Sequence, residues 1–429
     1  MASPTLRSFW LVFAAAVAVG AASARPQECR DLVPSMRGEL VRRSAALEAK
    51  IAEALAAGRS EDDVREQLNA QVLLAYQLAC LREDLQTDPF ETRAPGDPTV
   101  RHVTVPVFYA TNRRYKEGVA LDAAFGDSDA ETLLLGRAEV SIPTQREPGD
   151  LSVPSSWKFE RSADPARHFV LRSLSPLAGR AAFEAAQRTQ FPASGKKSLL
   201  LFVHGFRVTF EEAALRAAQL AHDLRFGGTV MFYSWPSTGT LLAYAHDAET
   251  VEGAETHFSA LLDSVHSMGF DNVHLVAHSM GTRLVARVLK QKLEAQKPVP
   301  DIRELMLAAA DINAGNFRAY LAPVLAQKVP PRITLYASSS DVALIASAGL
   351  HRLARVGDAK PAVFTYSPFE TIDASAAAPV SRAYGHSYVF DSPSVLADMA
   401  VLIHQGLGAR QRPRLRPVPG AAVPHWTLP

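Results

Sequence analysis

Val273-His274-Leu275-Val276-Ala277-His278-Ser279-Met280-Gly281-Thr282-Arg283 is the stretch on which the fold reading turns. An apolar, β-type run passes through His-Ser-x-Gly directly into a helical pattern. That is the context of a nucleophile elbow, a strand-to-helix turn tight enough to lift a serine Oγ above the carboxyl edge of a sheet. Such a turn needs small neighbours, and Gly281 supplies one; Ala277 stands where a first glycine is more usual. The competing reading is a serine that merely caps a helix after a buried strand. The strand before and the helix after favour Ser279 as a nucleophile.

Outward from this elbow, short apolar runs alternate with helical stretches. Strands are expected near 198–204, 229–233, 273–277, 305–309, 333–337 and 362–366, and helices near 210–224, 251–268, 279–295 and 394–405. Alternation of this kind builds a mostly parallel sheet with helices on both faces, an α/β fold. Three further strands are expected upstream, near 103–110, 136–142 and 168–174.

A serine nucleophile needs an oxyanion hole, an acid and a base. The strand Leu199-Leu200-Leu201-Phe202-Val203 runs into His204-Gly205-Phe206, where glycine lets the backbone approach a developing negative charge. The backbone N–H groups of Phe206 and Met280 are the expected donor pair. The His204 ring lies upstream of the serine and reads as structural. In this type of site the acid follows the serine and the base comes last. Asp341 ends the strand Tyr336-Ala337 through the turn Ser338-Ser339-Ser340; Asp311 ends the preceding strand in the same manner and is its rival. Asp341 is favoured because it follows the later strand. His386, in Tyr384-Gly385-His386-Ser387-Tyr388, is the expected base, ahead of His351, His404 and His425. Trp235, in Tyr233-Ser234-Trp235-Pro236, either lines an acyl pocket with His278 or is a core tryptophan.

The flanks differ in character. Arg7, the apolar run 9–19 and Ala22-Ser23-Ala24 form a signal peptide over 1–24 with cleavage expected after Ala24. Residues 25–86 read as a helical hairpin, with apolar residues at helical spacing and a turn near Gly58. It brings Cys29 and Cys80 together, so an exported chain is expected to hold either a Cys29–Cys80 disulfide or two free thiols. Residues 87–101 are a Pro/Gly/Asp linker and 102–406 the α/β domain. Residues 407–429, with Arg410, Arg412, Arg414 and Arg416 among prolines, read as a disordered tail.

The 429 residues carry 45 Lys+Arg against 44 Asp+Glu, and the net charge of +1 excludes the broad basic field of a nucleic-acid binder. Two cysteines exclude a Cys-rich zinc site, no His-Glu-x-x-His occurs, and no Gly-rich phosphate loop is present, so neither metal nor cofactor is expected. Past the signal no segment is apolar enough to span a bilayer. The mature chain is expected in the periplasm or outside the cell.

Six motifs stand in order: Phe108-Tyr109-Ala110-Thr111-Asn112-Arg113, His204-Gly205-Phe206, Tyr233-Ser234-Trp235-Pro236-Ser237, Ala277-His278-Ser279-Met280-Gly281, Tyr336-Ala337-Ser338-Ser339-Ser340-Asp341 and Gly385-His386-Ser387-Tyr388. Together they resemble the bacterial α/β-hydrolase family termed domain of unknown function 900, described as esterase- or lipase-like, over residues 102–405. The resemblance implies an α/β-hydrolase fold with Ser279, Asp341 and His386 at the triad positions. Arg207 replaces a usual Asn, Ala310 a usual Pro, and Thr282 is a further departure. The implied activity is hydrolysis of a small-molecule ester, with an amidase or acyltransferase using the same triad as alternatives. A non-catalytic envelope module, recruiting a protein partner through the hairpin, is the alternative from another class.

Overall fold

The structure, a computed structural model, describes residues 36–57, 101–154, 163–192, 195–238, 244–341, 343–344, 347, 353–377 and 386–429. Its centre is an eleven-stranded sheet: β1 (His102–Tyr115), β2 (Phe125–Pro143), β3 (Val170–Leu177), β4 (Ser198–Val203), β5 (Thr229–Ser234), β6 (Asn272–His278), β7 (Ile302–Ala308), β8 (Arg332–Ala337), β9 (Glu370–Asp373), β10 (Arg416–Pro417) and β11 (Trp426–Thr427). The spatial order is β10-β11-β9-β8-β7-β6-β4-β5-β1-β2-β3. Every pairing from β11 across to β1 is parallel, and β2, β3 and β10 add antiparallel edges.

Period-two alternation divides the buried residues between two cores. Leu199, Leu201 and Val203 of β4 enter one, and Leu200 and Phe202 enter the other. Because both faces are covered, the central strands read as continuous apolar runs rather than alternating ones. The helices are α1 (Arg37–Ala56), α2 (Gly179–Arg188), α3 (Phe210–Asp223), α4 (Tyr244–Gly253), α5 (Glu255–Met268), α6 (Gly281–Glu294), α7 (Ala314–Leu325), α8 (Tyr388–Asp391) and α9 (Pro393–Gln405). Helices α3 and α9 contribute to one core; α5, α6 and α7 contribute to the other. Local chemistry starts them in register. Thr209 and Glu212 form a capping box at α3, Asn313 caps α7, and Ser392 with Pro393 opens α9.

Three expectations change. The strand expected at 362–366 is irregular, and the last central strand is instead β9, which pairs Thr334–Ala337 with Glu370–Asp373. Phe364 and Tyr366 pack their rings against Phe317, Phe369 and Arg318, so this aromatic run serves a helix surface rather than the sheet. The helix expected at 251–268 lies in two pieces, α4 and α5, that meet at Ala254.

The tail expected to be disordered is folded. β11 pairs with β9 at Trp426↔Ile372, and Trp426 and Leu428 are buried. Arg412 lies inside the protein, 2.6 Å from Asp398 and 2.9 Å from Glu370. An arginine that looks solvated by composition is ordered here by acids 14 and 42 positions away in sequence. Helix α1 lies where the first arm of the hairpin is expected. The second arm, the signal peptide, Cys29, Cys80 and linker residues 87–100 lie outside the described residues. Among the described residues no helix is long and apolar enough to cross a membrane.

Candidate active site

The carboxyl ends of β4, β6 and β8 carry His204-Gly205-Phe206, Ser279 and Asp341, and His386 stands just before α8. At the end of β6 the chain turns through Ser279, whose φ of 52° is left-handed, a strained value for a residue with a side chain. Cross-links hold that turn. The Ser279 N–H donates to the Ala308 carbonyl at 3.0 Å, and the Ser279 carbonyl accepts from the N–H groups of Thr282 and Asp311. Ser279 is buried and leads directly into α6.

The glycines in the two motifs exist because two loops touch. A Cβ on Gly205 would lie 2.5 Å from the Ser279 Cβ, and one on Gly281 would lie 2.5 Å from the His204 carbonyl oxygen. His204-Gly205-Phe206 therefore sits directly against Ser279-Met280-Gly281, as an oxyanion hole requires of Phe206 and Met280. Arg207, one residue beyond Phe206, has a φ of 58°. Asn tolerates that conformation better than most residues, which gives a physical reason for the usual Asn that this chain lacks.

His386 donates one bifurcated hydrogen bond to Asp341. The His386 Nδ1 lies 2.9 Å and 2.8 Å from the two carboxylate oxygens. A carboxylate only accepts, so Nδ1 carries the hydrogen and Nε2 is the basic nitrogen of the neutral ring. Burial pushes the His386 pKa down, but the charge of Asp341 and its hydrogen bond outweigh it and leave the pKa above the ordinary 6.5. Asp341 is fully buried and also accepts from the Leu344 N–H at 3.0 Å.

The rival acid is engaged elsewhere. Asp311 pairs with Arg283 and Arg355, each at 3.1 Å, and accepts from the Ser347 hydroxyl at 2.7 Å. Its partners are structural cations. Of the other candidate bases, His404 is buried in α9 with Nε2 2.6 Å from the Leu224 carbonyl; His425 lies near the chain end; His351 lies outside the described residues.

Two expected pocket residues have other positions. Trp235 is fully buried, stacks on the His204 ring at 5.0 Å, and donates its indole N–H to the His204 carbonyl at 3.0 Å. It is the core tryptophan of the two readings. His278 is buried too, its ring 4.7 Å from that of His386 and 5.0 Å from that of Phe390. Its Nε2–H donates to the His386 carbonyl at 3.1 Å, so it holds the His386 backbone rather than a substrate.

Sequence reasoning assigned no role to Thr111, Arg113 or Ser234, which form a buried polar cluster behind the His204 turn. Their recurrence within named motifs was the available signal. Burial, with the Arg113 charge second, lowers the His204 pKa to about 3, so that ring is neutral at any working pH.

No curated protein sequence matches the chain. Solved structures are similar in outline only. A dienelactone hydrolase from Anabaena variabilis is 15% identical, covers 50% of this chain and 87% of its own, and gives a TM-score of 0.29. A thermophilic carboxylesterase cloned from a metagenomic library is 12% identical, with 82% and 99% covered and a TM-score of 0.31. An esterase of Pyrobaculum calidifontis is 12% identical, with 83% and 97% covered and a TM-score of 0.29. At those scores the likenesses carry no argument of their own. A family model does: residues 180–405, more than half of the chain, match the family described as alpha/beta hydrolase of unknown function (DUF900). The chain belongs to that alpha/beta hydrolase family.

Proposed function

We propose that the protein is a serine hydrolase of carboxylic esters, with Ser279 as nucleophile, His386 as base and Asp341 as the acid that orients it. The observation that carries this reading is the bifurcated His386–Asp341 hydrogen bond, with His386 held against the elbow by His278. Nδ1 is committed to Asp341, so Nε2 takes the Ser279 proton as Oγ bonds to the ester carbonyl carbon. The Phe206 and Met280 N–H groups receive the charge that gathers on the carbonyl oxygen. The alkoxide then leaves with the proton from Nε2. Water, deprotonated by the same nitrogen, releases the acid from the acyl-enzyme.

The triad does not choose the leaving group, so amides and acyl transfer use the same steps. Short to medium acyl chains are the proposed substrates. The net charge is near zero, so no long-range field favours a highly charged substrate, and the sequence between β5 and α4 is too short for a lipase lid. Trp235, a candidate wall of the pocket by sequence, belongs to the core. A p-nitrophenyl ester series measured below and above the micelle threshold tests the proposal. Rates should fall with chain length and pass smoothly through the threshold. A jump at the threshold with a long-chain optimum would contradict it.

A further inference from the structure

The motif Thr111-Asn112-Arg113 takes no part in the steps above, yet it places one of the largest buried side chains of the protein directly behind the His204-Gly205-Phe206 turn. β1 runs parallel to β5 with Thr111 opposite Ser234, which carries Arg113 just past the carboxyl end of the sheet. There its guanidinium uses four of its five donors. Nε reaches the Ser234 Oγ at 2.9 Å; one terminal nitrogen reaches the carbonyls of Gly126 at 2.7 Å and Ser237 at 3.1 Å. The other terminal nitrogen reaches the Val208 carbonyl at 2.7 Å, two residues past Phe206.

Donor and acceptor chemistry gives this cluster one direction. The His204 Nδ1 is 2.8 Å from the Gly205 carbonyl, which only accepts, so Nδ1 carries the hydrogen. The ring is neutral, so its Nε2 is bare and accepts from the Ser234 hydroxyl at 3.1 Å. That hydroxyl has given its single hydrogen to the ring, so its oxygen receives the Arg113 Nε–H. The last link is covalent. The Gly205 carbonyl and the Phe206 N–H belong to one planar trans peptide and point in opposite directions. Holding the carbonyl against the His204 ring therefore aims the Phe206 N–H the other way.

We propose that Arg113 and Ser234 are positioning residues of the oxyanion hole, acting through His204 and the Gly205–Phe206 peptide to aim the Phe206 N–H. This rests on Phe206 being an oxyanion donor, as in the function proposed above. A second strut keeps the turn from swinging. The Asp247 carboxylate binds the Ser237 hydroxyl and accepts from the Arg207 N–H at 3.4 Å, and Ser237 Oγ accepts from the Val208 N–H at 3.2 Å.

The test compares the full-length parent with Ser234→Ala, which cuts the relay but leaves the buried cation, and Arg113→Lys, which keeps the charge but cannot span four acceptors. On p-nitrophenyl acetate, kcat should fall about 10- to 100-fold, below the full cost of deleting an oxyanion donor. KM should stay within about threefold, and affinity for an alkyl boronic acid, which becomes tetrahedral on the serine, should fall in step with kcat/KM. Unchanged kcat and boronate affinity in a folded Ser234→Ala protein would overturn the proposal, as would a loss confined to KM. The relay is read independently in the parent by ¹⁵N NMR of the histidine rings, which needs neither turnover nor a variant. His204 should show a protonated Nδ1 and a bare Nε2 from pH 5 to 8, and the opposite tautomer would overturn the relay. A parent that shows the expected tautomer but neither turns over nor binds boronate would instead sink the esterase reading and, with it, any role in aiming an oxyanion donor.

Discussion

Replacing Gly205 by alanine puts one methyl group where two loops touch. The added Cβ would lie 2.5 Å from the Ser279 Cβ, 3.0 Å from the His278 carbonyl oxygen and 3.1 Å from the His278 Nδ1, against 3.4–4 Å for ordinary contact. Relief requires the two loops to part by about 1 Å, and a misplacement of that size at a reacting group costs about 100-fold in rate. Overpacking a dense site also costs about 1–3 kcal/mol of stability, or about 1–2 °C in Tm for each kcal/mol in a chain of this size. Gly253→Ala is the control, because a Cβ there meets nothing within 4 Å. The assay is kcat/KM on p-nitrophenyl butyrate beside a thermal melt. Gly205→Ala should lose about two orders of magnitude and melt several degrees early, while Gly253→Ala matches the parent. A Gly205→Ala protein within threefold of the parent rate and with the parent Tm would refute the close approach of the two loops.

Asp341→Asn should lower kcat by about 10⁴ by disfavouring the tautomer that leaves Nε2 basic. Asp311→Asn should instead show in the melt, because it strips charge from between Arg283 and Arg355, and breaking a buried pair costs about 3–5 kcal/mol; the reverse pattern in paired kinetics and melts would exchange the two roles. The pH profile of kcat/KM should rise through a limb above 6.5, since only neutral His386 accepts a proton and its folded pKa is raised. By the same linkage, protonated His386 adds stability that is fully present below pH 6.5 and is lost as pH climbs through the folded pKa, so melts should weaken where activity appears; a parent limb below 6.5 would contradict the pair. Arg412→Met should cost about 3–5 kcal/mol by leaving Asp398 buried without its cation, and a variant melting with the parent would show that the C-terminal segment is not fastened there.

Features encoded locally were legible in the chain. The elbow at Ser279 announces itself through an apolar strand, small residues and a helix, all within eleven positions. His386, which the structure pairs with Asp341, stands out because order along the chain selects it from four histidines. What escaped depends on partners distant in sequence. Arg412 reads as a tail arginine until Asp398 and Glu370 are placed beside it. β9 is less apolar than the Phe364–Tyr366 run near it, and pairing with β8, not composition, makes it the strand. Trp235 looked equally suited to a pocket or a core, and the stacking on His204 that decides between them spans 31 positions. Arg113 was visible only as part of a motif, because its four acceptors come from three separate segments.

The central claim is that Ser279 is activated by His386 and Asp341, and covalent labelling tests it most directly. The full-length protein is treated with a fluorophosphonate, digested, and the modified peptide is sequenced by mass spectrometry. The adduct should fall on Ser279 alone, and both Ser279→Ala, melting close to the parent, and His386→Ala, still folded but less stable because Asp341 loses its partner, should abolish it. Labelling that persists in folded Ser279→Ala, or a parent that takes no label at all, would contradict the account.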